Sequence, residues 1–374
     1  MTGEEPPTVE SHDATPSLPG GASPVPRTPG VRELLRLFPD PSSVGRGSIA
    51  VEGGITVVAG PGMGRTTLLR QLVSALERER GLPVALVTMP EPERGEGGDG
   101  FHRWLASLVE QARAGLLGSA LLASAELEPL RAALEEPAVD EGGGAPEVTP
   151  RGLERWVARL GAASGRTGGV CLLVDDVDSA AAMPWKIAFM AALRFAFQAA
   201  ARVTPIYASW RLFLDETAPG SHYFRNVTRP VFLTPLGATP ASPGEPPERD
   251  ALATAAVPGL APAARARVFE LAGGHPQLLE HVLADLRAGL RGDPALLDAT
   301  GVDALLGGAH AAGERALAAR LLAGSPELAT TLRELARADA YPFRNLSKVT
   351  IASGLVDRDA EDRAVVPELV RAVL

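Results

Sequence analysis

The stretch AGPGMGRTTLL, residues 59–69, sets Gly60, Gly62 and Gly64 directly ahead of a helix-forming run. It is close to G-x-x-x-x-G-K-[ST], in which main-chain amides cradle a polyphosphate. Ala59 stands at the usual first glycine and Arg65 at the usual lysine. Gly60, Pro61, Gly62 and Gly64 would form the turn. The helix behind it would add unpaired amides and roughly half a positive charge of macrodipole. Arg65 would meet the β- and γ-phosphates, and Thr66 or Thr67 would offer a hydroxyl to Mg²⁺. Alanine at 59 matters only if that position needs a positive φ. The planar fork of arginine is bulkier than an ammonium, so Arg65 would neutralise the γ-phosphate while crowding it.

Two strand ends carry the rest of such a chemistry. VCLLVDD (Val170–Asp176) brings Asp175 to the end of an apolar strand, where a phosphate-loop NTPase holds its Mg²⁺-coordinating aspartate. Asp176 follows at the position of the water-activating carboxylate, one methylene short of the usual glutamate, and Asp178 is placed to cap the next turn. SWR (Ser209–Arg211) ends a later strand, where the Arg211 cation would sense a γ-phosphate.

The elements that must position these groups are legible as periodicity. Ile55–Ala59, Val84–Met89, Val170–Asp176, Val203–Ser209 and Pro230–Leu233 read as buried strands. Helical stripes fall between them, notably Leu68, Leu69, Leu72, Val73 and Leu76, with Gly81 as a stop. Strands alternating with helices predict an α/β fold, a parallel sheet covered on both faces. Residues 1–30 are poor in large apolar side chains and read as a disordered tail, with structure starting near Val31. Glycine, proline and acidic residues mark 90–100 and 135–150 as loops. An α/β domain over 31–237 is followed by a linker and helical lid over 238–315. Residues 316–374 read as helices and a hairpin with polar turn residues, as in a winged helix.

With loop, strand-end aspartates and strand-end arginine in this order, the chain resembles the signal-transduction ATPases with numerous domains, relatives of the AAA proteins. The archaeal-ATPase-like branch matches best, through FMAALRFAF (189–197), SHYFRNVTRPVFLTPL (221–236) and LAGGHPQLLEHVL (271–283). The resemblance covers residues 31 to 290, and the last 50 more loosely. It implies an ATP/ADP switch with Mg²⁺, in which Gly274 and Pro276 line the base and His275 lies near the nucleotide. It also implies a partner protein or self-association, with any effector being a separate chain or the winged helix itself. Ala59, Arg65 and Asp176 depart from the family pattern, all on the phosphate side, so binding is expected and hydrolysis is expected to be slow or absent.

Composition narrows the alternatives. Over 374 residues the net charge of −9 argues against a general polyanion binder. Eight basic and eight acidic residues balance between Arg320 and Leu374, which is poor for counterion release from DNA. A DNA-binding regulator and an inactive adaptor remain the rival readings. Lys186 and Lys348 are the only lysines among 36 basic residues, so Arg65 follows a chain-wide habit. One cysteine, Cys171, in an apolar strand suits a reducing cytosol and core packing. The six histidines have no metal-ligand spacing. The N-terminus lacks a signal-peptide pattern, and no apolar run reaches a membrane span.

Overall fold

The computed structural model describes residues 27–39, 51, 54–91, 98–124, 127–138, 148–198, 200–214, 227–237, 246–307, 309–323, 325–338 and 340–374. The expected tail as far as residue 26, the centres of both acidic loops, residues 221–226 and linker residues 238–245 lie outside them.

Five parallel strands form one sheet in the order β2-β3-β4-β1-β5: β1 (Ile55–Val58), β2 (Val84–Thr88), β3 (Val170–Asp175), β4 (Val203–Ser209) and β5 (Arg229–Phe232). The register pairs Ile55 with Ile206 on one side and with Arg229 on the other, so β1 is central. β1, β3 and β4 are buried along their whole length, which is why they read as continuous apolar runs instead of alternating ones.

Helix α1 (Thr28–Leu35) and helix α2 (Arg65–Arg80) cover one face. α2 buries Leu68, Leu69, Leu72 and Leu76 against Ile55, Val57, Cys171 and Ile206, and Gly81 ends it in the left-handed conformation. The other face carries α3 (Gly98–Leu117), α4 (Glu128–Glu135), α5 (Pro150–Ala163) and α6 (Lys186–Gln198). Trp104, Trp156 and Phe189 are fully buried there. A single turn, α7 (Arg211–Leu214), follows β4.

Two boundaries differ from expectation. α3 begins at Gly98, inside the segment 90–100 read as a loop. α1 begins at Thr28, three residues inside the segment read as tail. Pro29 sits in its first turn, where a fixed φ and a missing N–H fit a helix start. Val31 lies inside the helix.

Beyond the sheet the chain is helical: α8 (Glu248–Ala256), α9 (Pro262–Ala272), α10 (Pro276–Gly289), α11 (Ala299–Leu305) and α12 (Ala309–Ala323). Then come α13 (Pro326–Arg337), α14 (Lys348–Ala352), an antiparallel hairpin of β6 (Asp357–Arg358) and β7 (Ala364–Val365), and α15 (Glu368–Arg371). Arg267 on α9 fastens this last unit. Its guanidinium grips both carboxylate oxygens of Glu368 at 2.8 and 3.0 Å, and also reaches Asp303 at 2.8 Å and Glu270 at 3.0 Å. Its hydrogen bonds to Glu368 and Asp303 raise its pKa further above the ordinary arginine value. Among the described residues no helix is long and apolar enough to cross a membrane.

Bidentate arginine–carboxylate pairs are the stronger surface contacts. Arg267→Ala should therefore speed hydrogen exchange in α15 and at the α14 end, while α2 and the central strands keep their protection.

Candidate functional site: the phosphate loop and what covers it

β1 runs into Ala59 and the bend that follows. Ala59 is fully buried and is not among the residues with positive φ, so alanine costs this backbone nothing. The positive φ values belong to Gly62 (72°) and Gly64 (76°), the conformation glycine adopts without strain. Gly64 is the N-cap of α2, and its carbonyl accepts from Leu68 N–H at 3.0 Å. Among the described residues no acceptor is placed on the amides of Arg65, Thr66 and Thr67. Three adjacent donors at the positive end of a sixteen-residue helix make an anion cradle. The half-exposed Thr66 and Thr67 hydroxyls stand on the same turn. The residues present thus fit a phosphate group.

Asp175 closes β3, buried, and its Oδ1 accepts from the Asp176 amide at 2.9 Å. Among the described residues no group of three or more His, Cys, Asp or Glu side chains is placed to hold a metal ion by itself. A hard divalent ion on Thr66 and Asp175 would therefore complete its shell with water and phosphate oxygens. Asp176 takes the left-handed conformation (φ 57°, ψ 33°), which is uncommon for a residue with a side chain. Its surface is exposed, yet partial burial of the carboxyl pushes its pKa up to about 6. Arg65 opposes the rise, and Asp175, Asp178 and Glu91 add to it.

The Arg65 guanidinium is directed at Asp178, with Nη1 donating to Oδ2 at 2.7 Å. Asp178 does cap a turn, but a distant one. It accepts from the Ser209 hydroxyl at 2.9 Å, the Trp210 amide at 2.7 Å and the Leu212 amide at 3.2 Å. These donors belong to the β4 exit and the start of α7. Arg211, the expected γ-phosphate sensor, opens α7 with an exposed side chain.

Two further segments close over the loop. His275 is fully buried and serves as N-cap of α10, its Nδ1 accepting from Leu278 N–H at 3.3 Å. That bond fixes the tautomer, so Nε2–H donates to the Pro61 carbonyl at 3.1 Å. Burial holds His275 down to about 4. Gln277 donates its amide to the Gly62 carbonyl at 3.3 Å, and its side-chain oxygen lies where a Cβ on residue 62 would fall. Pro276 is buried in the first turn of α10. Gly274 packs on the β5 exit: its carbonyl accepts from Leu236 N–H at 2.8 Å, and a Cβ there would lie 2.6 Å from Leu236 O. The second cover is the C-terminal unit. Gly60 donates to the carbonyl of Ala352 at 2.8 Å, and a Cβ on Gly354 would strike the Met63 sulfur and the His275 ring.

Arg27 was not foreseen. It is 4% exposed and lies within 4 Å of where a Gly64 Cβ would stand. Its amide donates to Gln71 Oε1 at 2.7 Å, and its Nη2 to Thr234 O at 2.6 Å. Glu248 is 3.8 Å from Nη1. Burial lowers the arginine's pKa, against the pull of Glu248. The one available signal was a lone cation just ahead of Thr28-Pro29.

No protein-family model matches the chain, and no curated protein matches it. Solved structures do. A Walker-type ATPase of Pyrococcus abyssi is similar at TM-score 0.50 and 12% identity, over 93% of this chain and 95% of that one. The Aeropyrum pernix ORC1 protein in complex with DNA is similar at TM-score 0.44 and 15% identity, over 95% and 94%. A Thermotoga maritima RuvB follows at 0.41 and 12%, over 93% and 95%. The sheet order, the loop between β1 and α2 and the first of these similarities give the chain the fold of a P-loop NTPase.

The two shifted groups give opposite pH signatures. His275, depressed in the folded state, contributes stability that is full above its unfolded value near 6.5 and is lost as pH falls towards about 4. Asp176, raised when folded, contributes stability that is full below its unfolded value near 3.9 and is lost as pH rises through about 6. Thermal melts of Asp176→Asn should therefore climb more steeply with pH between 4 and 6 than wild type. His275→Asn, which keeps an N-cap, should flatten that climb.

Proposed function

We propose that the protein is a nucleotide switch: it binds ADP or ATP with Mg²⁺ at the bend between β1 and α2 and hydrolyses slowly or not at all. The observation that carries this reading is convergence on one loop. Pro61 accepts from His275 of the helical segment, and Gly60 donates to Ala352 of the C-terminal unit. A ligand in the cradle would lie on the same short loop as both contacts, so its bound state can set their positions. In this reading residues 31–237 form the nucleotide domain, 238–315 the linker and lid, and 316–374 a winged helix, as in signal-transduction ATPases with numerous domains.

The residue roles follow. Gly60, Pro61, Gly62 and Gly64 shape the cradle, the amides of Arg65, Thr66 and Thr67 donate to phosphate, and Thr66 with Asp175 holds Mg²⁺. The metal, when bound, neutralises phosphate charge. Gly274, His275 and Pro276 form the lid edge beside the nucleotide, with the base expected against Gly274 and Pro276. Asp176 orients water if hydrolysis occurs, and Arg211 answers to the γ-phosphate. Slow turnover fits an Asp176 that is one methylene short and half protonated near pH 6.

The rival DNA-binding reading loses support at the hairpin. Arg363 is engaged by Asp359 at 2.6 Å and by Glu361 at 3.0 Å, and Arg358 by Asp362 at 2.8 Å. Lys348 lies over the Phe232 ring, 5.9 Å from its centroid.

Mass spectrometry of the nucleotide released from freshly purified protein tests the reading. ADP or ATP should be recovered, and Asp175→Ala should abolish Mg²⁺-dependent rebinding. Protein that is empty and cannot be titrated with either nucleotide would make it an adaptor that kept the fold alone.

A further inference from the structure

We infer that Asp178 is a built-in rival to the phosphate: its carboxylate holds the Arg65 guanidinium, and a polyphosphate must win that cation away. This rests on the nucleotide-binding reading and specifies how the same site is regulated.

Asp178 does not depend on Arg65 for its own satisfaction. Three donors already fix the carboxylate: Ser209 Oγ and the Leu212 amide on Oδ1, and the Trp210 amide on Oδ2. It is 9% exposed, so these bonds are sheltered from water. Arg65 adds a fourth contact on Oδ2, from the first residue of α2. The carboxylate therefore stays oriented whether Arg65 is present or absent, which a pair made only for stability would not require. A buried carboxylate 2.7 Å from a guanidinium competes directly with any other anion for that cation. The cradle amides stand at the root of the same side chain, on Arg65 itself and on Thr66 and Thr67.

Two consequences follow. Nucleotide affinity is reduced by the fraction of molecules whose Arg65 is held away. In addition, because Asp178 caps α7, the exchange at Arg65 alters the charge balance at the root of Arg211. Asp178 is thus a positioning residue that acts through Arg65. Neither the loop pattern nor the strand-end aspartates assign it this role.

The test is isothermal titration of full-length protein with Mg²⁺·ADP. Asp178→Asn keeps Oδ1 as an acceptor for Ser209 and Leu212 and removes the charge that holds Arg65. It should bind ADP about tenfold tighter than wild type if Arg65 is held in most molecules. Adding Asp178→Asn to an Arg65→Met background should change affinity by less than about twofold, because the coupled partner is gone. Weaker or unchanged binding in Asp178→Asn overturns the inference. Wild type that binds neither ADP nor ATP overturns the nucleotide reading along with it. A second measurement does not depend on the variant folding: a crystal structure of wild type with ADP. Arg65 Nη1 should have left Asp178 Oδ2 while the Ser209 and Leu212 bonds remain; an unchanged 2.7 Å contact overturns the inference.

Discussion

The bend between Val58 and Arg65 has more hydrogen-bonding groups than its own segment can satisfy, and much of the remaining architecture is arranged around that surplus. A chain leaving a buried strand and entering a helix must turn within a few residues. The first amides of the helix then have no partner from within it. Here the surplus divides. The donors on Arg65, Thr66 and Thr67 stay open. The carbonyls of Pro61 and Gly62 and the amide of Gly60 are taken by α10 and by the end of α14. The open half suits an anion, and the occupied half ties the sheet to everything that follows it.

Charge in this region is balanced through unequal partners. His275 is kept neutral by complete burial and still has both ring nitrogens bonded. Asp178 accepts from three donors and a guanidinium. Asp176, its carboxyl partly buried and flanked by two other acids, cannot ionise as readily as an isolated aspartate. A neutral latch, a saturated anion and an undersatisfied acid lie around one loop, so pH, phosphate and metal would each act on a different member.

The parts legible in the sequence were those encoded locally. Apolar runs located all five strands to within a residue or two, and the glycine spacing placed the bend, because both are properties of consecutive residues. Ala59 fits for a local reason too: positive φ is required at Gly62 and Gly64 and not at residue 59. What remained hidden was set by long-range contact. Asp178 looked like a cap for its own turn, yet its donors lie more than thirty residues downstream. Arg27 was lost among prolines and serines, because composition describes a segment and not the one side chain that leaves it for the core. Arg65 could be read as a cation, but the direction in which its fork turns depends on a carboxylate 113 positions away.

The C-terminal unit reaches the loop through a carbonyl, that of Ala352, and through the bare backbone of Gly354. Every amino acid carries a carbonyl, so this hydrogen bond does not itself specify the side chain at position 352. A family that keeps such a clasp would leave almost no trace of it in an alignment beyond small residues at the positions of Gly60 and Gly354. Its presence would have to be recognised from shape.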